Sequence, residues 1–176
     1  YNQLIARRVR EANVYCEVKP CTTPLEELMK PHPIGFIFTG GPQSVYAENS
    51  PQVDPKIFTL GLPILGICYG CQLIAHNLGG KVTAAQEDTA REYGKTETYF
   101  DTSCELFHGL KEKSITWMSH GDYMAKVPAG FALCAHSDAC PTVGICDEAR
   151  AIYGVQFHPE VNHTEQGSLM LRNFLY

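Results

Sequence analysis

Residues 63–80 read PILGICYGCQLIAHNLGG, an apolar run that gives way to a helical pattern just after Cys68. The pattern predicts a buried strand over Pro63–Ile67 and a helix over Tyr69–Leu78 that a glycine pair ends. Gly66-Ile-Cys-Tyr-Gly70 is the cysteine form of the nucleophile turn, in which flanking glycines relieve crowding at a sharp strand-to-helix turn. We therefore expect Cys68 at the carboxyl edge of a parallel sheet, with the positive end of a helix stabilising its thiolate.

Two other interpretations of Cys68 remain open at this point. It is also consistent with a packing cysteine at the end of a strand, or with a redox pair formed by the CxxC spacing of Cys68 and Cys71. The sequence contains no second CxxC and no histidine pair at ligand spacing, so we expect no metal site. Cys71 is expected to pack inside the helix.

The flanking sequence indicates an α/β fold. Strand-like and helical segments alternate up to residue 80, which favours a parallel sheet covered by helices. Expected helices are 1–12, 24–30, 52–60 and 164–174. Expected strands are 14–18, 34–38, 63–67, 81–85, 96–100, 114–118, 131–136, 142–147 and 151–157, the later ones mixed or antiparallel. We expect one domain over residues 1–176.

Composition excludes several classes of function. The net charge of −5 and the lack of a basic run argue against nucleic acid as a partner. No apolar run approaches the roughly 18 residues that a membrane span needs, and no signal peptide opens the sequence. Eight cysteines, four of them in apolar runs, are then best explained as free thiols in a reducing cytoplasm.

A cysteine nucleophile needs a base, and Val155-Gln-Phe-His-Pro-Glu160 offers one. Proline restricts His158 to extended backbone, in which residues i and i+2 project to the same side. Glu160 is then positioned to orient the imidazole and to stabilise its charged form. The alternative is a solvated histidine and an exposed glutamate. A second polar stretch, Trp117-Met-Ser-His-Gly-Asp122, predicts a ligand-contact loop.

Six stretches together resemble the class I glutamine amidotransferase family, most closely its branch in GMP synthetases. They are YNQLIARRVRE (1–11), TGGPQSVY (39–46), LGICYGCQ (65–72), REYG (91–94), WMSHGD (117–122) and IYGVQFHPEV (152–161). The resemblance implies a flavodoxin-like three-layer sandwich with a mixed, mostly parallel central sheet. It also implies a strand before Tyr1, which this sequence lacks, and methionine where Cys71 stands.

The resemblance further implies that Cys68 attacks the carboxamide of L-glutamine, with His158 as base and Glu160 as orienting acid. Backbone N–H groups of Gly41 and Tyr69 are expected to stabilise the oxyanion. The residues expected to hold the amino-acid end of the substrate are Gln72, Ser119, His120, Gly121 and Asp122, with Asp122 on the α-ammonium group.

The family resemblance assigns no cofactor to this domain. ATP and Mg²⁺ are expected to act in a separate ATP pyrophosphatase domain or subunit that binds XMP, since no Ser-Gly-Gly-Val-Asp-Ser loop occurs here. Other interpretations stay open: another class I amidotransferase, a γ-glutamyl hydrolase, or a catalytically inactive relative that only binds a partner.

Overall fold

The computed structural model describes residues 2–20, 23–30, 32–39, 54–84, 92–120, 122–138 and 140–176. Its strands are β1 (Phe36–Phe38), β2 (Ile64–Ile67), β3 (Lys81–Ala84), β4 (Glu92–Phe100), β5 (Lys113–His120), β6 (Asp122–Lys126), β7 (Ala132–Ser137), β8 (Gly144–Asp147) and β9 (Ile152–Val155). Its α-helices are α1 (Asn2–Glu11), α2 (Leu25–Leu28), α3 (Tyr69–Asn77) and α4 (Gly167–Leu175), and two 3₁₀ helices span Pro55–Thr59 and Glu105–Phe107.

A seven-stranded sheet in the order β1-β2-β9-β8-β7-β4-β5 forms the centre of the fold, and β3 pairs with β6 in a separate ribbon. All four residues of β2 are buried, because the sheet is covered on both faces. Leu65 packs in one apolar cluster with residues of α1 and α4, whereas Ile64 packs in a second cluster with Ile74 of α3. Helices therefore lie on both sides of the sheet.

The predicted α/β fold with a mixed sheet is confirmed, but its strands are not mostly parallel. Among the described strands, β1–β2 and β2–β9 pair in parallel, whereas β4–β5, β4–β7, β7–β8 and β8–β9 pair antiparallel. The connection between Asp147 and Ile152, which pair directly, is a turn too short for a crossover helix.

Three further expectations need correction. Residues 14–18 form no strand: the segment pairs with no strand among the described residues, and Tyr15 is 78% exposed. Strand β6 was not expected, and β9 ends at Val155 rather than at residue 157. In the described parts of the chain, no helix combines the length and apolar character needed to cross a membrane.

The turn at Cys68 has the strained backbone that its sequence predicts. Cys68 adopts φ 55° and ψ −107°, a conformation that costs a non-glycine residue about 1–3 kcal/mol. A Cβ added to Gly66 would lie 2.5 Å from the carbonyl oxygen of Gly70, and one added to Gly70 would lie 2.2 Å from that of Phe38. Both glycines are therefore required by contact with backbone, which cannot move aside as a flexible side chain can.

We expect Gly70→Ala to lower the free energy of unfolding by about 3 kcal/mol or more, because the new methyl group would push β1 away from α3. Gly61→Ala is the matched control: it has no atom within 4 Å of the added carbon but has φ +74°, so it should cost only about 1–2 kcal/mol. Urea unfolding of both variants measures the difference, and equal losses would contradict the steric explanation.

Candidate active site

Cys68 lies between β2 and α3. Its backbone makes the last hydrogen bond between β2 and the parallel strand β9. Its N–H donates to the carbonyl of Val155 at 2.8 Å, and its own carbonyl accepts from the N–H groups of Cys71 and Gln72 at the start of α3. The residue is 7% exposed. The sulfur therefore lies at the N-terminus of a helix, where partial positive charge favours an anion.

His158 is fixed by hydrogen bonds of its backbone to β5 and to the following turn. Its N–H donates to the carbonyl of Trp117 at 2.9 Å, and its carbonyl accepts from Thr164 Oγ1 at 2.6 Å. Thr164 Oγ1 also accepts the N–H of Trp117 at 3.0 Å, so one hydroxyl joins the two segments. The imidazole is held in place before any substrate binds.

Glu160 supplies the carboxylate behind the imidazole. Its Oε2 lies 3.2 Å from Nδ1 of His158, and the residue is 1% exposed. The two residues lie on a turn rather than on a strand, so the contact predicted from strand alternation is reached by a different backbone path. Arg8 of α1 holds this turn: its Nε donates to the Glu160 carbonyl at 3.0 Å, and its Nη2 donates to Asn162 Oδ1 at 2.9 Å.

Two opposed effects set the protonation of His158. Burial alone lowers the pKa of the imidazole, but hydrogen bonds to Cys68 and Glu160, and the charges on both, raise that pKa to about 9. Oε1 of Glu160 is buried without a hydrogen-bond partner among the described residues, which leaves the imidazolium as the principal partner of this carboxylate. The side chains of Cys68, His158 and Glu160 thus form one continuous hydrogen-bonded series.

Gln156 is a member of the site that sequence reasoning missed. Its Nε2 donates to Cys68 Sγ at 3.6 Å, and its Oε1 accepts from Gln72 Nε2 at 3.3 Å. The residue is fully buried, with 0% exposure. The sequence did carry a signal for Gln156, because it is a polar residue within the apolar run before His158. A polar residue that is buried in such a run often belongs to a functional site.

The structure excludes Cys71 as a redox partner. Cys71 is fully buried, and burial, followed by the neighbouring Cys68 and Cys140, raises the pKa of its thiol far above its ordinary value. Reactive dithiols require an accessible thiolate. Cys71 instead packs against Gly154 of β9, where an added Cβ would lie 2.8 Å from its sulfur.

The remaining predicted residues are placed only in part. Tyr69 is buried as the first residue of α3. Ser119 and His120 end β5 and Asp122 begins β6, and for these three the structure describes the backbone alone. Gly41 and Gly121 lie outside the described residues. The expected contacts of these residues with substrate stay predictions.

A nucleophile, a charged imidazole and an orienting carboxylate in one series are the equipment of covalent hydrolysis. The family model for glutamine amidotransferase class-I matches residues 1–176. A GMP synthase (glutamine-hydrolysing) of Clostridium perfringens is 56% identical over 176 residues, which are 100% of this chain and 34% of that protein. The chain therefore spans about a third of the length of this curated relative.

Solved structures show the same fold. A protein from Thermoplasma acidophilum, described as a putative subunit of GMP synthase, has a TM-score of 0.85 and 31% identity, over 99% of this chain and 86% of that one. A glutamine amidotransferase from Thermotoga maritima, 23% identical, has a TM-score of 0.72 over 90% of this chain and 70% of that one. Three observations agree: the family match along the whole sequence, the shared fold, and the hydrogen-bonded cysteine, histidine and glutamate. The chain belongs to the class I glutamine amidotransferase family.

Proposed function

We propose that this chain hydrolyses L-glutamine and delivers the ammonia to a GMP synthetase that aminates XMP. The observation that carries the proposal is the hydrogen-bonded series of Cys68, His158 and Glu160 at the end of β2. The specific branch is supported by 56% identity, over the whole chain, to a glutamine-hydrolysing GMP synthase.

The reaction begins when the Cys68 thiolate attacks the carboxamide carbon of glutamine. The tetrahedral intermediate breaks its C–N bond as the protonated His158 donates to the leaving nitrogen, which departs as ammonia. A thioester remains on Cys68. His158, now neutral, takes a proton from water, which attacks the thioester and releases glutamate. Glu160 keeps the imidazole in one orientation throughout and stabilises its charged form.

The oxyanion that forms in each half of the reaction needs donors beside the sulfur. Tyr69 follows Cys68 directly and begins α3, so its N–H lies at the positive end of that helix, next to the residue that carries the sulfur. We assign its N–H and that of Gly41 to the oxyanion. The removal of one such donor typically costs roughly 10²–10³ in kcat.

The amino-acid end of glutamine is assigned to residues near the end of β5. The Trp117 carbonyl accepts the N–H of His158, so the strand approaches the base two residues before Ser119. Ser119, His120, Gly121 and Asp122 continue from that point, and Asp122 is assigned to the α-ammonium group. Gln72, hydrogen-bonded to Gln156 beside the sulfur, completes this set.

The synthetase chemistry is assigned to another domain or subunit. The chain corresponds to 34% of its Clostridium perfringens relative, which leaves most of that protein for the part that we propose uses ATP and Mg²⁺ and binds XMP. We also propose a reducing cytoplasm as the location of the chain, which the seven free thiols among the described residues support.

We expect Cys68→Ala to abolish ammonia release from glutamine while leaving thermal unfolding nearly unchanged, because the variant loses the nucleophile but little packing. Cys71→Ala, a matched change three residues away on α3, should keep activity. Ammonia release from glutamine measures the activity of both variants, and glutamate release from glutamine and from γ-glutamyl peptides measures the specificity of the parent. Normal turnover by Cys68→Ala would refute the nucleophile, and a preference for γ-glutamyl peptides would point to a γ-glutamyl hydrolase instead.

The pKa of about 9 at His158 predicts a pH dependence. The imidazolium that protonates the leaving nitrogen is present below that pKa, so kcat/KM should fall as pH rises through about 9. Glu160→Gln removes a negative charge that favours the imidazolium, and should shift this loss of activity to lower pH and reduce kcat by roughly 10²-fold. A pH profile of the variant identical to that of the parent would contradict the role of Glu160.

Partner dependence gives a test of the branch. Ammonia release in the absence of an acceptor wastes glutamine, so we expect low glutaminase activity alone and a rise in kcat when the synthetase part, XMP and ATP are added. Coupled assays with XMP and with an unrelated nucleotide provide the comparison. If XMP does not raise the glutaminase activity, the chain belongs to another branch of the amidotransferases.

A further inference from the structure

Three cysteines outside the glutamine site converge on one point of the core. The sulfurs of Cys104, Cys134 and Cys146 all lie within 4.8 Å of one another. The three residues are buried, with exposed fractions of 4%, 2% and 7%, and all three are free thiols.

Distant segments of the chain build this cluster, which is why the spacing of the cysteines predicts nothing. Cys104 immediately precedes the 3₁₀ helix Glu105–Phe107, Cys134 lies in β7 and Cys146 in β8. The register of β7 against β8 shifts between Leu133 and Ala135. At this irregularity Leu133 is 50% exposed whereas Cys134 is buried, so the thiol lies on the core side of β7.

The space around the cluster is matched to the sulfur atoms. Gly144, which pairs with Ala135, lies next to Cys134: an added Cβ would lie 3.1 Å from the Cys134 sulfur and 2.8 Å from the Cβ of Ala135. Any larger residue at position 144 would displace the thiol. The apolar cluster that encloses the three sulfurs also contains Phe100 and Phe107, whose ring centres lie 4.9 Å apart.

The separation of the sulfurs fits a metal thiolate site. With a metal–sulfur distance of roughly 2.3 Å, three sulfurs around a tetrahedral or trigonal ion lie about 3.8–4.0 Å apart. Sulfurs within 4.8 Å of one another reach that arrangement through shifts of about 1 Å or less. Soft thiolate ligands select zinc, cadmium or copper(I) over magnesium and calcium.

Glu148 supplies an ordered polar group at the surface side of the cluster. Its Oε1 accepts the N–H of Glu105, the residue after Cys104, at 3.0 Å, and its Oε2 accepts the hydroxyl of Tyr153 at 2.7 Å. The residue itself is exposed, in the turn after β8. This carboxylate offers a fourth ligand or a hydrogen-bond acceptor beside the metal, and it marks a path from solvent.

We propose that Cys104, Cys134 and Cys146 form a binding site for one thiophilic d¹⁰ metal ion of the Zn²⁺ type. Each thiol releases one proton as its sulfur bonds to the metal, and no electron is transferred. The site is separate from Cys68: Cys146 pairs with Tyr153, near the start of β9, whereas the Val155 carbonyl that holds Cys68 ends that strand. The proposal is independent of the function assigned above.

Cd²⁺ titration of the protein in a Cys68→Ala background tests the site, since that change removes the reactive thiol at the glutamine site. Sulfur-to-cadmium charge transfer in the ultraviolet should saturate at one equivalent, and Zn²⁺ should displace it. Cys104→Ser, Cys134→Ser and Cys146→Ser should each weaken Cd²⁺ binding by more than the roughly 10- to 100-fold that the loss of an outer-shell partner costs. Cys16→Ser, a half-buried thiol outside the cluster, is the matched control and should change nothing.

A Cd²⁺ signal that survives all three cluster substitutions, or that disappears in Cys16→Ser, would overturn the proposal. Zinc-edge X-ray absorption of the Zn²⁺-loaded Cys68→Ala protein adds a measurement with the cluster intact, so it does not depend on the folding of cluster variants. Three sulfur neighbours at about 2.3 Å support the site, whereas a shell of only nitrogen and oxygen excludes it.

Discussion

The hydrogen bond from the Cys68 N–H to the Val155 carbonyl, 2.8 Å long, is the constraint on which the site depends. It continues the parallel register that pairs Ile67 with Val155, and it joins the nucleophile to the strand that leads into Gln156 and His158. A slip of one residue would turn every side chain of β9 to the opposite face. The relative position of sulfur and imidazole is therefore set by two buried strands, and not by the loops that carry the reacting groups.

The opposite side of the base is held by three elements that take no part in the chemistry. β5 accepts the His158 N–H through Trp117, Thr164 accepts from Trp117 and donates to His158, and Arg8 of α1 donates to the Glu160 carbonyl. Because these contacts are made by backbone atoms or to them, the side chains of His158 and Glu160 stay available to each other. Burial of the carboxylate strengthens its effect on the imidazole, since the local dielectric constant is low.

The parts of this arrangement that follow local rules could be read from the sequence. Gly66 and Gly70 are required by contacts close along the chain or at the neighbouring strand end, and Glu160 lies two residues from His158. The features that depend on which strands pair with each other could not be predicted from the sequence. Residues 14–18 have the composition of a strand but no partner among the described residues, and β6 forms only because Met124 meets Val82 of β3. The cysteine cluster depends on a register shift in β7, which leaves no signal in the spacing of the three residues.

The cysteines of this protein differ in chemistry because the fold gives each sulfur a different neighbour. Cys68 lies beside the imidazole of His158 and at a helix N-terminus, and we propose it as the nucleophile. Cys71, three residues along the same helix, meets only apolar surfaces and Gly154, and burial keeps its thiol protonated. In the cluster of Cys104, Cys134 and Cys146 the neighbours are other thiols, an arrangement that favours a shared cation over a reaction with substrate. The chemistry open to each cysteine therefore follows the neighbours of its sulfur together with its burial, and not the mere presence of a thiol.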